Sequence, residues 1–173
     1  MRPLILAAAL LFAPVAAHAM SIPQAEREAR SFLVPCHYKS RQLLCKLQQF
    51  DFVEEYVKAL SGDYSAQAST MLSFSVVDRI CSHCQGSLFV GLPANQVLAC
   101  AWAMLLVLEP KSDSPSSTNA RGAARSECSP LTHPGRVVAT RAAVALRLRI
   151  QNHPLRLPTD WMPSAPGLFP PSR

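Results

Sequence analysis

The sequence predicts an all-α fold built from helix hairpins. Apolar residues recur at the spacing of one helical face, most clearly at Val53, Tyr56, Val57 and Leu60. No segment keeps the alternating apolar and polar pattern of a half-buried strand. Helix-ending and helix-starting residues stand between the periodic segments, and the 173 residues leave room for one ordinary domain.

The first helix of the clearest hairpin is predicted from Leu43 to Leu60, with charged residues opposite its apolar face. Gly62 suits the left-handed position after a helix end, and Asp63 suits the N-cap of the next helix. That second helix is predicted to run to about Val76. Its predicted buried residues are Tyr64, Ala68, Met71 and Leu72.

Two further helices are predicted on either side of this pair. Residues 22–31 carry interleaved charges and are compatible with a short helix. Another helix opens at Pro93, whose missing N–H costs nothing in a first turn, and it ends near Leu108. The strongly apolar segment 94–108 is 15 residues long, shorter than the roughly 20 that a membrane span needs, so we expect a buried core helix.

The C-terminal third combines a predicted linker, a helix and a tail. Residues 111–124 are rich in Ser, Thr, Asn and Gly, which predicts a mobile linker. The last helix is predicted from about Pro134 to Gln151, with Thr132 as its cap. Residues 152–173 contain six prolines and predict an extended or disordered tail, which leaves residues 24–151 as the domain. The predicted buried stripe of the last helix is Val138, Ala142, Ala145 and Leu148.

The first 19 residues have the parts of a secretory signal peptide. Arg2 precedes an apolar run at residues 4–12, and Ala-His-Ala ending at Ala19 fits a cleavage site. An uncleaved membrane anchor is the alternative interpretation. We expect cleavage near Ala19 and a mature protein in the periplasm or outside the cell.

The formal net charge of +6 is concentrated in the C-terminal part. Residues 20–110 hold seven Lys or Arg and eight Asp or Glu, whereas residues 111–173 hold nine and three. An ordinary solvated helix face explains this excess, and a surface for anionic lipid, envelope polymer or an acidic protein is the alternative. Because no aromatic residues interleave with these arginines, no nucleic acid is expected. The arginines of the last helix are Arg136, Arg141, Arg147 and Arg149.

Six cysteines in an exported chain indicate disulfides before metal sites or catalysis. They are Cys36, Cys45, Cys81, Cys84, Cys100 and Cys128. Sequence does not choose among the many possible pairings. Proximity alone favours a local Cys36–Cys45 pair, with the other four cysteines as a second group.

The C-x-x-C motif at Cys81 and Cys84 resembles the active motif of thiol–disulfide oxidoreductases, in which a lowered thiol pKa makes one cysteine reactive. Such motifs follow a strand in a βαβ unit, whereas a predicted helix precedes this one. A structural disulfide is therefore the preferred interpretation. A zinc site using these cysteines and His83 lacks a second ligand pair, and Gln85 stands where haem attachment needs His.

Other candidate chemistry is weaker. Cys36 and His37 are consecutive, and consecutive side chains diverge, which disfavours a nucleophilic pair. Glu54 and Glu55 likewise point in different directions on a helix and indicate a solvated face. We expect no catalytic residue, cofactor or metal.

Residues 53–108 carry a spaced set of small, glycine and aromatic residues. The set comprises Gly62, Asp63, Ala66, Gln67, Leu72, Gly91, Ala99 and Trp102. In this order they resemble the Sel1-like repeat, a relative of the tetratricopeptide repeat, whose units read Gly-Asp-x-x-Ala-Gln, a glycine loop, and a helix with Ala-x-x-Trp. The match spans residues 53–108. The loop is longer than usual and one unit is clear, whereas repeat stacks generally need three or more.

The resemblance implies an interaction scaffold with a concave face and without catalytic residues. We expect an exported, non-enzymatic module that binds a protein of the cell envelope. Its predicted binding face is Tyr56, Tyr64 and Gln67, with Trp102 either in the groove or wholly in the core. The alternatives are a periplasmic thiol–disulfide oxidoreductase using the C-x-x-C motif and a small secreted inhibitor or toxin-like factor.

Overall fold

A computed structural model of the chain describes residues 20–36, 42–75, 92–108, 116–152 and 154–163. These residues contain six α-helices and no β-strand, which confirms the predicted all-α class. The helices are α1 (Ile22–Ser31), α2 (Gln42–Leu60), α3 (Tyr64–Phe74), α4 (Gln96–Leu108), α5 (Ser116–Cys128) and α6 (His133–Asn152). None of the described helices combines the length and apolar character that a membrane span requires.

The helices pack largely in chain order, with α4 at the centre. α1 lies on α2, α2 on α3 and α3 on α4, and α4 also contacts α5 and α6. Ala99, Trp102 and Leu105 of α4 are at most 1% exposed. Because α4 is apolar around most of its circumference, it is surrounded by other helices rather than half exposed. Its predicted role as a buried core helix is confirmed.

The turn between α2 and α3 follows from two adjacent residues. Gly62 adopts a φ of +94°, a left-handed conformation that side chains other than glycine rarely adopt. The Asp63 carboxylate accepts a hydrogen bond of 2.9 Å from the backbone N–H of Ala66, as an N-cap should. α3 ends at Phe74, before the predicted end near Val76, because Ser75 turns to an extended backbone.

An aromatic cluster joins the first three helices to α4. The ring of Phe32, just after α1, lies 5.2 Å from Phe74 and 5.6 Å from Tyr56. Phe52 lies 5.4 Å from Phe74, and Tyr56 lies 5.9 Å from Trp102. These edge-on and tilted contacts stabilise the core beyond the area that they bury.

α5 corrects the prediction of a mobile linker at residues 111–124. Its Ala120 is 4% exposed, and Ala123 and Ala124 pack against the core. A disulfide between Cys128 and Cys100 ties the end of α5 to α4. Small residues and a covalent bond therefore hold this helix in place. Because it has no stripe of large apolar residues, apolar periodicity did not detect it.

α6 has nearly the predicted bounds but buries a different face. The Thr132 hydroxyl accepts a hydrogen bond of 3.5 Å from the N–H of Gly135 at the helix start. Ala139 and Ala143 are buried against the rest of the fold, whereas Val138 and Leu148 are 53% and 52% exposed. The predicted stripe of Val138, Ala142, Ala145 and Leu148 is therefore wrong. Alanines face inward because their small side chains allow α6 to approach α4 closely.

The chain after α6 forms neither helix nor strand in residues 154–163, and it turns where the N–H of Trp161 donates to the carbonyl of Pro158 at 3.1 Å. It is not free of the core, however. Leu155 is 6% exposed, and Leu157 and Trp161 pack against the buried cluster. The packed part of the chain thus continues past the predicted domain end at residue 151.

Candidate functional site

The predicted binding face lies in the interior. Tyr56, Gln67 and Trp102 are 3%, 0% and 1% exposed, and Tyr64 is half-buried. The Gln67 amide donates a hydrogen bond of 3.4 Å to the carbonyl of Ala59 on α2. Tyr56, Gln67 and Trp102 occupy the space between α2, α3 and α4, so they cannot contact a partner, whereas Tyr64 stays partly exposed. The prediction of a binding face at Tyr56 and Gln67 is wrong.

The other residues of the repeat motif have structural roles, with one exception. Ala66 and Ala99 are buried where helices approach each other. Leu72, predicted to be buried, is 43% exposed because it lies on the outer face of α3. Gly91 lies outside the described residues.

Two disulfides connect neighbouring elements. Cys36 pairs with Cys45, which ties the segment after α1 to α2 and agrees with the proximity-based prediction. Cys100 pairs with Cys128 across α4 and α5. The C-x-x-C motif at residues 81–84, including His83, lies outside the described residues. Among the residues that are described, no group of His, Cys, Asp and Glu side chains could hold a metal ion.

A charged cluster links α1, α2 and α6. Both Nη atoms of Arg149 donate to the carboxylate of Glu28, at 2.9 and 2.7 Å. The hydroxyl of Tyr56 donates to the same carboxylate at 2.5 Å. Burial alone would raise the pKa of Glu28, but the hydrogen bonds from Arg149 and Tyr56 outweigh it and lower that pKa. Burial and the adjacent carboxylate raise the pKa of Tyr56.

This cluster is a structural tie. An ionised Glu28 that accepts three hydrogen bonds is a poor proton acceptor, and a Tyr56 with a raised pKa is a poor acid. Arg149 is consequently engaged inside the fold. The predicted anionic-ligand surface on the last helix therefore loses this arginine.

The remaining arginines of α6 differ in their surroundings. Arg147 is half-buried, and its Nε has no hydrogen-bond partner within the described part of the chain. Arg136 is exposed and donates to the carbonyl of Leu131 at 2.5 Å. Arg141 is exposed on the outward face of the helix. The four arginines therefore do not form one basic surface.

A buried carboxylate joins α3, α4 and α5. Glu127 is 3% exposed and accepts hydrogen bonds from Ser75 at 2.9 Å and from Gln96 at 2.8 Å. Next to it, the backbone N–H of Asn95 donates to the carbonyl of Phe74 at 2.9 Å. The end of α3 and the start of α4 are thus fixed to each other and to α5.

A groove of about 300 Å³ lies between the outer faces of α2 and α3. We call it the α2–α3 groove. Phe52, 3% exposed, contributes its buried ring, and Leu72 contributes an exposed side chain. Asp51 and Glu55, one helical turn apart, bring two carboxylates. The lining residues are Gln48, Asp51, Phe52, Glu55, Ser69, Leu72 and Ser73.

The electrostatics of the α2–α3 groove favour a cation. Partial burial and the negative charge of Glu54 raise the pKa of Asp51. The ionised form of Asp51 is therefore disfavoured where it stands, and a positive group placed beside it would stabilise that form. Neighbouring Glu55 adds a second negative charge to the same wall.

The same outward side of α2 carries exposed leucines. Leu43, Leu44 and Leu47 are 67%, 49% and 44% exposed, one to two turns before Asp51. A cluster of exposed leucines beside a groove is typical of a protein-binding surface. The sequence contained this signal, since these leucines precede the buried set of α2 and lie off its face. Sequence reasoning missed it by treating the outward face of α2 as solvated.

Comparison of the chain with protein-family models, with curated proteins and with solved structures finds no match. The resemblance to Sel1-like repeats therefore stays a prediction that rests on the motif residues alone. The α2–α3 groove is the feature from which a function can be argued.

Proposed function

We propose that the chain is an exported, non-enzymatic protein-interaction module that binds a protein of the cell envelope in the α2–α3 groove. The observation that carries this proposal is the combination of an apolar groove, two carboxylates in its wall and exposed leucines on the adjoining surface. Amphipathic helices commonly bind such grooves through apolar side chains spaced one turn apart. The Sel1-like resemblance supports the same role, since it implies an interaction scaffold.

The apolar and negatively charged lining of the groove favours a partner segment that is apolar and positively charged. Phe52 and Leu72 offer apolar contacts, and Asp51 with Glu55 offers negative charge. A segment that carries apolar side chains and a Lys or Arg at helical spacing satisfies both. An acidic segment would place like charges together and is disfavoured.

Export and a non-enzymatic role have separate support. Two disulfides within the described residues suit an oxidising compartment outside the cytosol. The half-buried carboxylate of Glu28 and the buried carboxylate of Glu127 are each engaged in joining helices. The structure thus uses these groups for stability.

Site-specific photocrosslinking in the producing cells tests the proposal. Benzoylphenylalanine at Leu72 reports on the groove, and the same residue at Leu108 is a matched control, because the two leucines are 43% and 39% exposed. We expect a discrete crosslinked protein product from Leu72 only. The product should disappear when Asp51 and Glu55 are both changed to Arg. Equal products at both positions, or no effect of the charge reversal, would contradict the proposal.

A further inference from the structure

The outward face of α6 is apolar although it meets solvent. Val137, Val138, Val144 and Leu148 are 36%, 53%, 47% and 52% exposed, and the exposed Arg141 lies among them. Positions 137, 141, 144 and 148 follow one another at steps of three or four residues and so share one stripe of the helix. An apolar stripe of this kind, with one central charge, is typical of a helix that binds a complementary groove.

The stripe complements the α2–α3 groove in charge and spacing. On α6, Leu148 follows Arg141 by seven residues, and on α2, Leu44 precedes Asp51 by seven residues. Each interval spans about 10.5 Å along its helix axis at about 1.5 Å per residue. In an antiparallel arrangement, Arg141 meets Asp51 where Leu148 meets Leu44. Val144 then lies near Leu47.

We propose that α6 of a second copy of this chain occupies the α2–α3 groove, with Arg141 placed between Asp51 and Glu55. This inference rests on the proposed function and names the partner. The inward face of α6 packs on α4, so its outward face cannot turn into the groove of its own chain. The contact is therefore made between copies.

The two surfaces of this contact are different, which makes the interface heterologous. A copy whose groove is filled still offers a free α6 face, and a copy whose α6 is docked still offers a free groove. Such head-to-tail contacts either close into a ring or extend as a chain. Complementary single variants can separate the two surfaces.

Sedimentation equilibrium of the purified chain, residues 20–173 with its disulfides intact, tests the inference. We expect the average mass of the wild-type protein to rise with concentration. Arg141→Asp and Asp51→Arg should each weaken the association by about tenfold or more, since each places like charges together. Arg121→Asp, an equal change of charge at an exposed position of α5, should leave it unchanged.

A mixture of the two single variants gives the sharper readout. The Arg141→Asp chain keeps an intact groove, and the Asp51→Arg chain keeps an intact α6 face. We expect the mixture to associate more strongly than either variant alone, because the intact groove of one variant accepts the intact α6 face of the other. The double variant should regain part of the association, since its two exchanged charges again meet as opposites while Glu55 keeps its negative charge. Matching circular dichroism spectra and melting temperatures verify that every variant is folded.

Several outcomes would overturn the inference. These are a wild-type protein that stays monomeric at every concentration, variants that associate as the wild type does, and a mixture that forms no complex. A monomeric protein whose Leu72 crosslinks to a different protein would overturn self-association and leave the proposed function standing. Self-association that the groove variants abolish, with only a second copy of the chain crosslinked to Leu72, would support the inference and identify the partner as this chain itself.

Discussion

The Cys100–Cys128 disulfide is expected to stabilise the fold more than the Cys36–Cys45 disulfide. The sequence separations that they close are 28 and 9 residues. In the chain-entropy model, a longer closed loop removes more conformational freedom from the unfolded chain. At 25 °C these separations correspond to about 3.6 kcal/mol for the first bond and about 2.6 kcal/mol for the second.

Urea unfolding of two paired variants measures this difference. One variant replaces Cys100 and Cys128 by Ala, and the other replaces Cys36 and Cys45. Each pair contains one fully buried cysteine, Cys100 at 0% and Cys45 at 1% exposed, so the cost of the lost sulfur largely cancels in the comparison. We expect the free energy of unfolding to fall by about 1 kcal/mol more in the first variant.

Hydrogen exchange gives a second readout of the same change. The described side chains of α5 include only two fully buried residues, Ala120 and Glu127, so its docking depends strongly on the bond to Cys100. The amides of α5 should therefore lose protection in the Cys100/Cys128 variant, while those of α2 keep theirs. A larger loss of stability in the Cys36/Cys45 variant, together with an unchanged α5, would refute the reasoning.

Three further variants probe individual ties. Glu28→Gln weakens charged hydrogen bonds from Arg149 and should lower the free energy of unfolding by about 2 kcal/mol at pH 7. Because folding lowers the pKa of Glu28, this contribution is present above the carboxyl's ordinary pKa and is lost as pH falls through the folded value, so urea unfolding near pH 3 should show a smaller difference. Glu127→Ala removes the acceptor of two hydrogen bonds from buried or part-buried groups and should cost about 2 kcal/mol, measured by thermal unfolding. Asp63→Ala removes the N-cap of α3 and should cost about 1 kcal/mol in urea.

Matched changes at exposed positions serve as controls for these variants. Glu54→Gln breaks the ion pair with Lys58 on the surface of α2, where we expect less than about 0.5 kcal/mol. Ser65→Ala, next to the capped turn and exposed, should have little effect. If Glu54→Gln lowered the free energy of unfolding as much as Glu28→Gln, the cluster of Glu28, Tyr56 and Arg149 would stabilise the fold no more than a surface ion pair does. A pH-independent loss in Glu28→Gln would show that its charge does not stabilise the fold.

The local features of the fold were predictable because they depend on neighbouring residues. The φ of Gly62 and the cap at Asp63 are fixed within one turn of chain, and the burial of Val53 and Val57 follows from their spacing. α4 was predictable for a similar reason, since a helix that is apolar all round has to be buried.

The features that were missed depend on residues far apart in the chain. Glu28 and Arg149 are 121 residues apart, and no local pattern announces their pairing. α5 is held by Glu127 and by a disulfide to α4 instead of by a stripe of large apolar residues. Its composition therefore resembles that of a linker. The binding surface was misplaced for the opposite reason. Tyr56 and Trp102 are aromatic residues within the segment that resembles the repeat, and both are buried between helices.

The error at α6 has a physical cause that is relevant to function. Both faces of this helix are apolar, with Ala139 and Ala143 inside and bulkier residues such as Val144 and Leu148 outside. The predicted stripe begins and ends at larger side chains, Val138 and Leu148, and both of these face outward. Large apolar residues usually fill the core. On α6 they face solvent while alanines face the core, and this reversal favours a binding role for the outward face.

The free energy of association between two copies can be estimated from the exposed apolar residues. Burying the exposed half of a Val or Leu gains roughly 1 kcal/mol, so the stripe of α6 supplies roughly 4 kcal/mol and the leucines of α2 add a similar amount. Association costs at least about 4 kcal/mol in lost freedom of motion. The remainder, with one Arg141–Asp51 contact, is enough for a weak complex and too little for a permanent one. The proposed assembly should therefore form at high protein concentration and dissociate on dilution.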